Sequence, residues 1–474
     1  MAEQQISIEK FEEVLQRDND KEIQEIVKVL QETDQVEEYA KKLNAFLVAK
    51  WNERIAVEIE QVEKVQTVNI ITVYMEFYDE MIHKQEITFL NNQIFVEQMK
   101  NAFKSIVNDN KFNNWEKGSF PSYIFVNYFH EILTTPHYVH EMKNIMEECK
   151  KVVDLLPYIL NKDVFESDYH DYLLYRLSSG EFNSIDTELE MITLLESIFE
   201  ESAIDSYRNI CKEYTECEKY QEEFKKFCMD QKIELPIESE FGIFQKSRVY
   251  NSKYSYFQHP QPCKEIFDLH KKFYSNKSKR LIIDVLKTTG IIKFMWMKRP
   301  IELHCSYIQI AILLAFNEKE EYTYEELQTK IDVEKDDFNY NISGLLLHDV
   351  IVSSTGKNIL PESTFKFNME FKPQTTKINV TKGNESYYDE YSKLQKEEKD
   401  IEKERAFKVQ AVAVRLLKAK KVMKYTDLIN AIIEQLKDRF TASASLIRHQ
   451  IEYLMNKEYF KRSETDPELI EFIF

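Results

Sequence analysis

A lysine-rich segment in the last quarter of the chain carries the side chains best suited to covalent chemistry. Between residues 407 and 424 every charged side chain is basic, although the 474-residue chain has a formal net charge of −19. A lysine amine that has lost its proton can attack a thioester and form a stable isopeptide bond. Spacing alone does not show which of these amines would react, because lysines on solvated helix faces are common. The basic residues are Lys408, Arg415, Lys418, Lys420, Lys421 and Lys424.

The same segment has the periodicity of an amphipathic helix. Residues spaced by three and four positions share one helix face, so we predict that the apolar stripe in this segment is buried. Lys418 lies about one turn beyond Val414 and therefore at the edge of the predicted stripe. The stripe consists of Phe407, Ala411, Val414 and Leu417.

The residues that follow predict the rest of a winged helix. A second apolar stripe predicts a helix over 425–436, and the hydroxyl side chains of Thr441 and Ser443 suit the N-cap of a third helix. Two short runs with strand character, 458–462 and 469–474, flank a polar turn that contains Pro467. Three helices followed by a hairpin make up the winged-helix plan.

This C-terminal segment resembles the end of the cullins. In that family the lysine that matches Lys418 receives a ubiquitin-like modifier. The resemblance therefore implies that Lys418 is the acceptor of an isopeptide bond. The spacing of the lysines by itself does not distinguish Lys418 from its neighbours. Four motifs carry it: Glu404-Arg405, Val414-Arg-Leu-Leu-Lys418, Asp438-Arg439-Phe440 and Lys457-Glu-Tyr-Phe460.

Earlier segments are similar to cullins as well, so that the resemblance covers about the last 310 residues. The segments 161–177 and 273–281 match common family patterns, and the match becomes specific from Ser306 onwards. The apolar pattern of 307–347 predicts a first winged-helix-like unit. Alternating side chains at 365–371 and 376–380 then predict a hairpin.

In cullins the strands before this unit join a strand donated by a small zinc-binding RING-box protein. The matching runs here are 281–286 and 291–297, which we predict to be strands around the turn at Gly290. Main-chain hydrogen bonds supply such pairing, so residue identity at the edge can vary. Ordinary strands of an intramolecular core are equally compatible with the sequence. The candidate binding residues are Leu281, Ile283, Val285, Ile292, Phe294 and Trp296.

Composition excludes several other classes of protein. The 7 glycines are isolated from one another, so the chain has no Gly-rich phosphate-binding loop. The 6 cysteines form no CxxC pair, and His137 with His140 lacks an evident third ligand, so we expect neither metal nor cofactor. No apolar run approaches the ~18 residues needed to span a membrane, and the start has no basic leader. We therefore expect a cytoplasmic or nuclear protein.

The predicted fold is mainly α, with an elongated helical-repeat stalk followed by a cullin-homology α+β region that contains two winged-helix units. We expect the stalk over 1–155, a helical bundle and strand meander over 156–304, and the first winged-helix-like unit with its hairpin over 305–382. A polar, charged segment over 383–400 predicts a flexible connector. The C-terminal winged helix with the acceptor lysine then occupies 401–474.

The resemblance implies a non-catalytic scaffold of a cullin-RING ubiquitin ligase. Such a scaffold holds a RING-box protein, and through it a ubiquitin-conjugating enzyme, near the substrate. Modification at Lys418 would bias the C-terminal winged helix between a docked and a released state. The chain is shorter than is usual in the family, and the difference lies at the N-terminus, where cullins bind their substrate adaptor. We therefore expect a divergent, N-terminally shortened cullin whose adaptor the sequence does not identify.

Two other functions remain open at this point. The cullin-like subunit of the anaphase-promoting complex shares the C-terminal plan, although a modifiable lysine after Val-Arg-Leu-Leu argues against it. A winged-helix nucleic-acid binder would use 443–457 as its recognition helix, with Arg448 and His449 on phosphates. The net charge of −19 and the interruption by Glu452 disfavour nucleic acid.

Overall fold

The computed structural model describes residues 7–30, 35–61, 67–109, 121–135, 139–180, 182–244, 257–275, 281–294, 300–373, 375–383, 390–463, 466 and 468–473. The predicted mainly α fold with small sheets is confirmed. The chain divides into two compact units. The first consists of 1–176, 181–209 and 404–474, and the second of 177–180 and 210–403. Within the described residues, no helix is both long and apolar enough to cross a bilayer.

Amphipathic helices form the N-terminal part of the first unit. The apolar residues Ile23, Ile26, Val27 and Leu30 follow one another at helical spacing and form the buried face of α2, and charged residues occupy most of its remaining positions. The helices are α1 (Ile8–Gln16), α2 (Asp20–Leu30), α3 (Val36–Gln61), α4 (Thr67–Ile87), α5 (Gln93–Val107), α6 (Pro121–Thr134), α7 (Val139–Val153), α8 (Lys162–Ser179) and α9 (Ile185–Leu195).

A buried ion pair joins α8 to α9. The Nε of Arg176 donates to Oε1 of Glu188 over 2.6 Å, and Nη2 donates to Oε2 over 2.8 Å. Both side chains are almost fully excluded from solvent, at 0% and 1% exposure. A guanidinium and a carboxylate in this two-bond arrangement satisfy one another's charge, which allows both to enter the interior.

The second unit contains the first winged helix and the sheet that precedes it. Two of its helices begin with a capping box, Ser306 with Gln309 and Thr323 with Glu326, in which each side chain satisfies the other's backbone N–H. The elements from Glu201 onwards are α10 (Glu201–Asp230), α11 (Gln261–Ser275), β1 (Thr289–Phe294), β2 (Ile301–Ser306), α12 (Tyr307–Ala315), β3 (Glu321–Thr323), α13 (Tyr324–Ile331), α14 (Lys335–Leu347), β4 (Ile351–Ser353), β5 (Thr364–Phe367) and β6 (Lys377–Asn379).

These strands form two sheets, ordered β1-β2-β6 and β3-β5-β4. The predicted hairpin of 365–371 with 376–380 is therefore wrong, since β5 pairs with β3 and β4 whereas β6 runs parallel to β2. A buried side chain explains the choice: Nε2 of Gln309 donates to the carbonyl oxygen of Val380 over 2.6 Å. Pairing of β6 with β2 and Gln309, which are distant in sequence, is therefore favoured over a hairpin with the preceding strand.

A buried histidine lies between two aromatic rings of the second unit. The ring centroid of His270 is 3.7 Å from that of Phe224 and 3.6 Å from that of Phe241. Its Nδ1 lies 2.9 Å from the hydroxyl oxygen of Tyr220. Burial lowers the pKa of His270 to about 4, because the charged imidazolium would lose its hydration.

We expect His270 to make this unit sensitive to acid. Its pKa rises to the ordinary value of 6.5 on unfolding, so the unfolded chain takes up a proton first as the pH falls. The stability is therefore complete above pH 6.5 and is lost between pH 6.5 and pH 4. Between pH 7 and pH 5 the wild type should lose about 2 kcal/mol more than His270→Gln in urea denaturation. An equal loss in both proteins would contradict this, and His348→Gln, at an exposed histidine of the same unit, is the control.

The C-terminal part of the first unit is the predicted second winged helix. Its strands form a third sheet, ordered β7-β9-β8. The predicted flexible connector over 383–400 is wrong from Glu390 onwards, because the helix begins there; lysine, glutamate and glutamine in this stretch favour helix more strongly than their charge favours disorder. The elements are α15 (Glu390–Lys420), β7 (Val422–Lys424), α16 (Tyr425–Leu436), α17 (Ala444–Asn456), β8 (Phe460–Arg462) and β9 (Leu469–Phe472).

Candidate acceptor lysine and open sheet edge

The C-terminal winged helix has a hydrophobic core of its own. The buried face of α15 packs against buried residues of α16, α17, β8 and β9, and every buried member of this cluster lies between residues 409 and 470. A contiguous cluster of this kind is the hydrophobic core that a domain normally contains. On α15 the buried residues are Val409, Val412, Ala413, Leu416 and Leu417.

The predicted buried stripe of α15 is therefore wrong for most of its members. Phe407 is 67% exposed, Ala411 is exposed, Val414 is half-buried, and only Leu417 lies in the core. Both stripes have helical spacing, and periodicity cannot say which one faces the core. The presence of α16 and α17 on one side of α15 decides it.

This correction changes the surroundings of Lys418. At about 100° per residue, Lys418 lies on the same face as Phe407, Ala411 and Val414, about three turns along the helix from Phe407. The exposed face thus presents an apolar stripe that ends in an exposed amine. Lys420 lies on a different side of the helix from this stripe.

The end of α15 is fixed by backbone hydrogen bonds just beyond Lys418. Lys421 has a φ of 68°, and its N–H donates to the carbonyl oxygen of Leu417 over 2.8 Å. The carbonyl oxygen of Lys421 in turn accepts the N–H of Phe472 over 3.0 Å. The base of the Lys418 side chain is therefore held rigidly, while its amine reaches into solvent.

The surface around Lys418 is basic. Lys418, Lys420, Lys421 and Lys424 are all exposed, and within the described part of the chain no carboxylate forms an ion pair with Lys418. A positively charged surface attracts an acidic partner and accelerates its approach. Because all four lysines are exposed, exposure does not show which of them is the acceptor. Lys418 differs from the others in lying next to the exposed apolar stripe of α15.

Among the residues that the structure describes, no strand pairs with the outer edge of β1. Strand β1 pairs with β2 over six residues, from Thr289 with Ser306 to Phe294 with Ile301, and it is the terminal strand of the sheet. Ile291 in this strand is 51% exposed. A strand edge with unused N–H and C=O groups and an exposed apolar side chain can pair with a strand of another protein.

The expected strand over 281–286 is wrong, since 281–284 joins no sheet and 285–287 forms a turn. Oδ1 of Asp284 accepts the backbone N–H groups of Leu286 and Lys287 over 3.1 and 3.3 Å. Aspartate favours such turns because its short carboxylate reaches the backbone two residues on. The turn ends the extended run before it can lengthen the sheet.

The structure places most of the candidate edge residues towards the core. Val285 and Phe294 are buried, and Ile283 and Ile292 pack against the core of the second unit. Leu281 is half-buried, and Trp296 lies outside the described residues. The apolar side chains exposed in this region are instead Ile282, Leu286 and Ile291.

Two arginines of the C-terminal winged helix contact the start of α8. Arg405 donates from Nε and Nη2 to the two carboxylate oxygens of Asp163, over 2.9 and 3.2 Å, and from Nη2 to Oδ1 of Asn161 over 3.1 Å. Arg439 donates to Glu166 over 2.7 Å and also to Glu200. Sequence analysis missed these pairs because their partners lie more than 230 residues apart. The motifs Glu404-Arg405 and Asp438-Arg439-Phe440 drew attention to the two arginines, but nothing in the sequence indicated which carboxylates they bind.

The backbone contributes to the same contact. The N–H groups of Lys162 and Asp163, which open α8, both donate to the carbonyl oxygen of Arg439, over 2.9 and 3.4 Å. The first N–H groups of a helix have no partner within the helix, so this carbonyl caps α8. Burial raises the pKa of Glu166, although Arg439 and Lys408 act to lower it.

Two other kinds of site, which the sequence disfavoured, are a metal pair and a nucleic-acid recognition helix. Within the described residues, no group of three or more His, Cys, Asp or Glu side chains is placed to hold a metal ion. His137 lies outside those residues, and the side chain of His140 does too. Arg448, His449 and Glu452 are exposed on α17, which places an acidic residue on the surface that a recognition helix would offer to phosphates.

Comparison with known proteins assigns the segments of the chain to one family. Residues 2–230 match the profile described as the cullin alpha solenoid domain, residues 243–371 the cullin alpha+beta domain, and residues 404–466 the cullin protein neddylation domain. The three matches follow one another along the chain and together span both compact units.

Individual relatives agree with these matches. Cullin-4 of Schizosaccharomyces pombe is 25% identical over 394 residues, which cover 80% of this chain and 52% of that protein. Cullin-4A of Homo sapiens is 23% identical over 408 residues, covering 84% and 52%. Cullin-1 of Schizosaccharomyces pombe is 25% identical over 395 residues, covering 78% and 49%. The chain spans about half the length of these relatives. Since all three cullin domain types occur in order along its length, the chain belongs to the cullin family.

Proposed function

We propose that this chain is a non-catalytic scaffold subunit of a cullin-RING ubiquitin ligase, regulated by attachment of a ubiquitin-like modifier to Lys418. The observation that carries the proposal is the exposed Lys418 amine at the rigid end of α15, within the segment that matches the cullin neddylation domain.

Attachment of the modifier would proceed by attack of the deprotonated Lys418 amine on a thioester. An amide forms between the lysine and the modifier's C-terminal carbonyl, and the thiol of the donor enzyme leaves. The basic surface of Lys418, Lys420, Lys421 and Lys424 would draw in an acidic donor enzyme, and the apolar stripe from Phe407 to Val414 would give it a surface to rest on.

The open edge of β1 is the proposed binding site for the RING-box protein. An added strand would form main-chain hydrogen bonds with β1 and cover the exposed side chains of Ile291 and its neighbours. The extended run 281–284, which pairs with no strand in the described part of the chain, lies directly before the turn that leads into β1. The RING-box protein would then hold a charged ubiquitin-conjugating enzyme.

We expect Ile291→Asp to weaken binding of a recombinant RING-box protein by roughly tenfold or more. The substitution places a carboxylate where an added strand would exclude water. Because Ile291 is exposed, the fold of the scaffold itself should not change. Isothermal titration calorimetry with the purified chain measures the dissociation constant.

Met369→Asp is the matched control, since Met369 is an apolar residue of the same unit that is 80% exposed and lies outside β1. It should bind the RING-box protein as the wild type does. Equal affinity of the Ile291→Asp and Met369→Asp variants would refute the β1 edge as the binding site. Absence of binding by the wild-type chain would refute the scaffold function itself.

A further inference from the structure

We propose that helices α6 and α8 of the first unit together form a binding surface for an arginine side chain of a partner protein. The surface combines aromatic rings with carboxylates, and it includes neither Lys418 nor any residue of β1. A partner bound there would be additional to the RING-box protein and the modifier of the proposed function. The rings are those of Tyr123, His130, Tyr172 and Tyr175, and the carboxylates are those of Glu131 and Asp168.

The rings of this surface contact one another in sequence. The ring centroid of Tyr172 on α8 lies 6.5 Å from that of Tyr123 and 4.7 Å from that of His130, both on α6. The ring centroid of His130 lies 5.8 Å from that of Tyr175. The planes in these pairs meet at 61°, 58° and 69°, so none of the pairs is a flat stack in which each ring covers the other. Ring faces therefore remain for a ligand to contact.

The aromatic side chains are accessible but held in place. Tyr175 is 45% exposed, and Tyr123, His130 and Tyr172 are half-buried. A hydrogen bond joins the hydroxyl groups of Tyr172 and Tyr123. Side chains that are already ordered in this way lose little conformational entropy when a ligand binds.

The two carboxylates give this surface a negative potential. Burial raises the pKa of Tyr172, and the charges of Asp168 and Glu131 act in the same direction, which places both carboxylates near its ring. Glu131 also accepts a hydrogen bond from Nδ2 of Asn127, one turn earlier on α6, over 2.8 Å. Carboxylates beside aromatic rings favour a bound cation, because the faces of the rings are themselves electronegative.

The basic side chains nearest to the rings carry no charge at the surface. Burial lowers the pKa of His130 to about 4, and the charge of Arg176 acts in the same direction, so His130 is an uncharged ring at neutral pH. Arg176 itself is 0% exposed and binds both carboxylate oxygens of Glu188. Neither side chain therefore presents a positive charge to an approaching cation.

Arginine suits this combination of rings and carboxylates better than lysine does. A planar guanidinium can lie over a tyrosine ring while its N–H groups donate to a carboxylate, whereas the ammonium of lysine is compact and more strongly hydrated. The chain makes the same kind of contact internally. The guanidinium of Arg176 lies 5.5 Å from the ring centroid of Tyr169, and that of Arg462 lies 5.5 Å from the ring centroid of Tyr425.

Fluorescence anisotropy with the full chain tests the surface. The probe is a fluorescein-labelled peptide of three Ser-Arg repeats, and a peptide of three Ser-Lys repeats carries the same charge. The wild type should bind the arginine peptide about two- to fivefold more tightly, because the guanidinium stacks better on the rings. Tyr175→Ala should remove this preference by weakening the arginine peptide about two- to fivefold. Because Tyr175 is exposed, the fold should not change.

Four further variants are controls for this measurement. Tyr175→Phe keeps the ring and should bind both peptides as the wild type does. Tyr459→Ala removes a tyrosine of the C-terminal winged helix that is 52% exposed, and it should affect neither peptide. Asp168→Asn should weaken both peptides, whereas Glu22→Gln makes the same change in net charge at an exposed position of α2 and should weaken neither.

Three results would overturn the arginine-binding surface. They are equal affinity of the wild type for the two peptides, absence of binding, and a Tyr175→Ala variant that binds the arginine peptide as tightly as Tyr459→Ala does. The scaffold function is tested separately with the RING-box protein at β1, so either proposal can fail without the other.

Discussion

Replacing Lys418 by arginine is expected to remove the modified form of this chain completely. Arginine keeps the positive charge and favours helix as strongly as lysine, but its guanidinium stays protonated and does not form the isopeptide bond. Lys418 is exposed, so the substitution should change the free energy of unfolding by less than about 0.5 kcal/mol. Immunoblots of the tagged chain from its native cells would show the slower band, and mass spectrometry would show the branched peptide.

The neighbouring lysines supply the matched controls. Lys420→Arg and Lys424→Arg remove equally exposed amines within six residues of Lys418 and should leave the modified band intact. A band that persists in Lys418→Arg would show that another lysine is the acceptor. A band lost equally in all three variants, each of which keeps the positive charge, would show that modification does not depend on the amine of Lys418 specifically.

Replacing Arg176 by methionine is expected to lower the free energy of unfolding by about 3 to 5 kcal/mol. The carboxylate of Glu188, which is 1% exposed, would keep its charge in the interior without the guanidinium that now binds both of its oxygens. Methionine fills much of the same volume, so the loss comes mainly from the stranded charge. Urea denaturation followed by far-UV circular dichroism at neutral pH measures it.

Two comparisons separate the charge effect from lost packing. In the double variant Arg176→Met and Glu188→Leu no buried charge remains, and most of the stability should return. Arg208→Met removes an arginine of a solvent-exposed ion pair with Glu196, in which the side chains are 46% and 39% exposed, and should cost less than about 1 kcal/mol. A single Arg176→Met variant as stable as Arg208→Met would show that the buried pair contributes little.

Local sequence patterns predicted the helices and both winged helices correctly. Apolar residues at helical spacing, such as Ile23, Ile26, Val27 and Leu30, can hide from water only along one face of a helix, whatever surrounds them. Hydroxyl residues before such runs mark helix starts, and Ser443 does accept the N–H of Leu446. These patterns depend on residues that are close in sequence, so they can be interpreted without knowledge of the tertiary structure.

Sequence patterns that are compatible with two different structures were predicted less well. On α15 the stripe that includes Phe407 and the stripe that includes Val409 are both helical, and only the neighbouring helices decide that Val409 is buried. Strand β6 could have formed a hairpin with the segment before it, but β2 and Gln309 bind it instead. In each case the competing arrangements differ through residues that are distant in sequence.

By itself, the sequence predicted the family and the mainly α fold correctly, and the family resemblance singled out Lys418 as the proposed acceptor, because motif register and helical periodicity are properties of short stretches of chain. Only the tertiary structure decided which face of α15 meets solvent, that β1 is the terminal strand of its described sheet, and that Arg405 and Arg439 lie against Asp163 and Glu166. Ion pairs and strand pairing depend on distances of a few ångströms between segments hundreds of residues apart, and such distances exist only once the chain has folded.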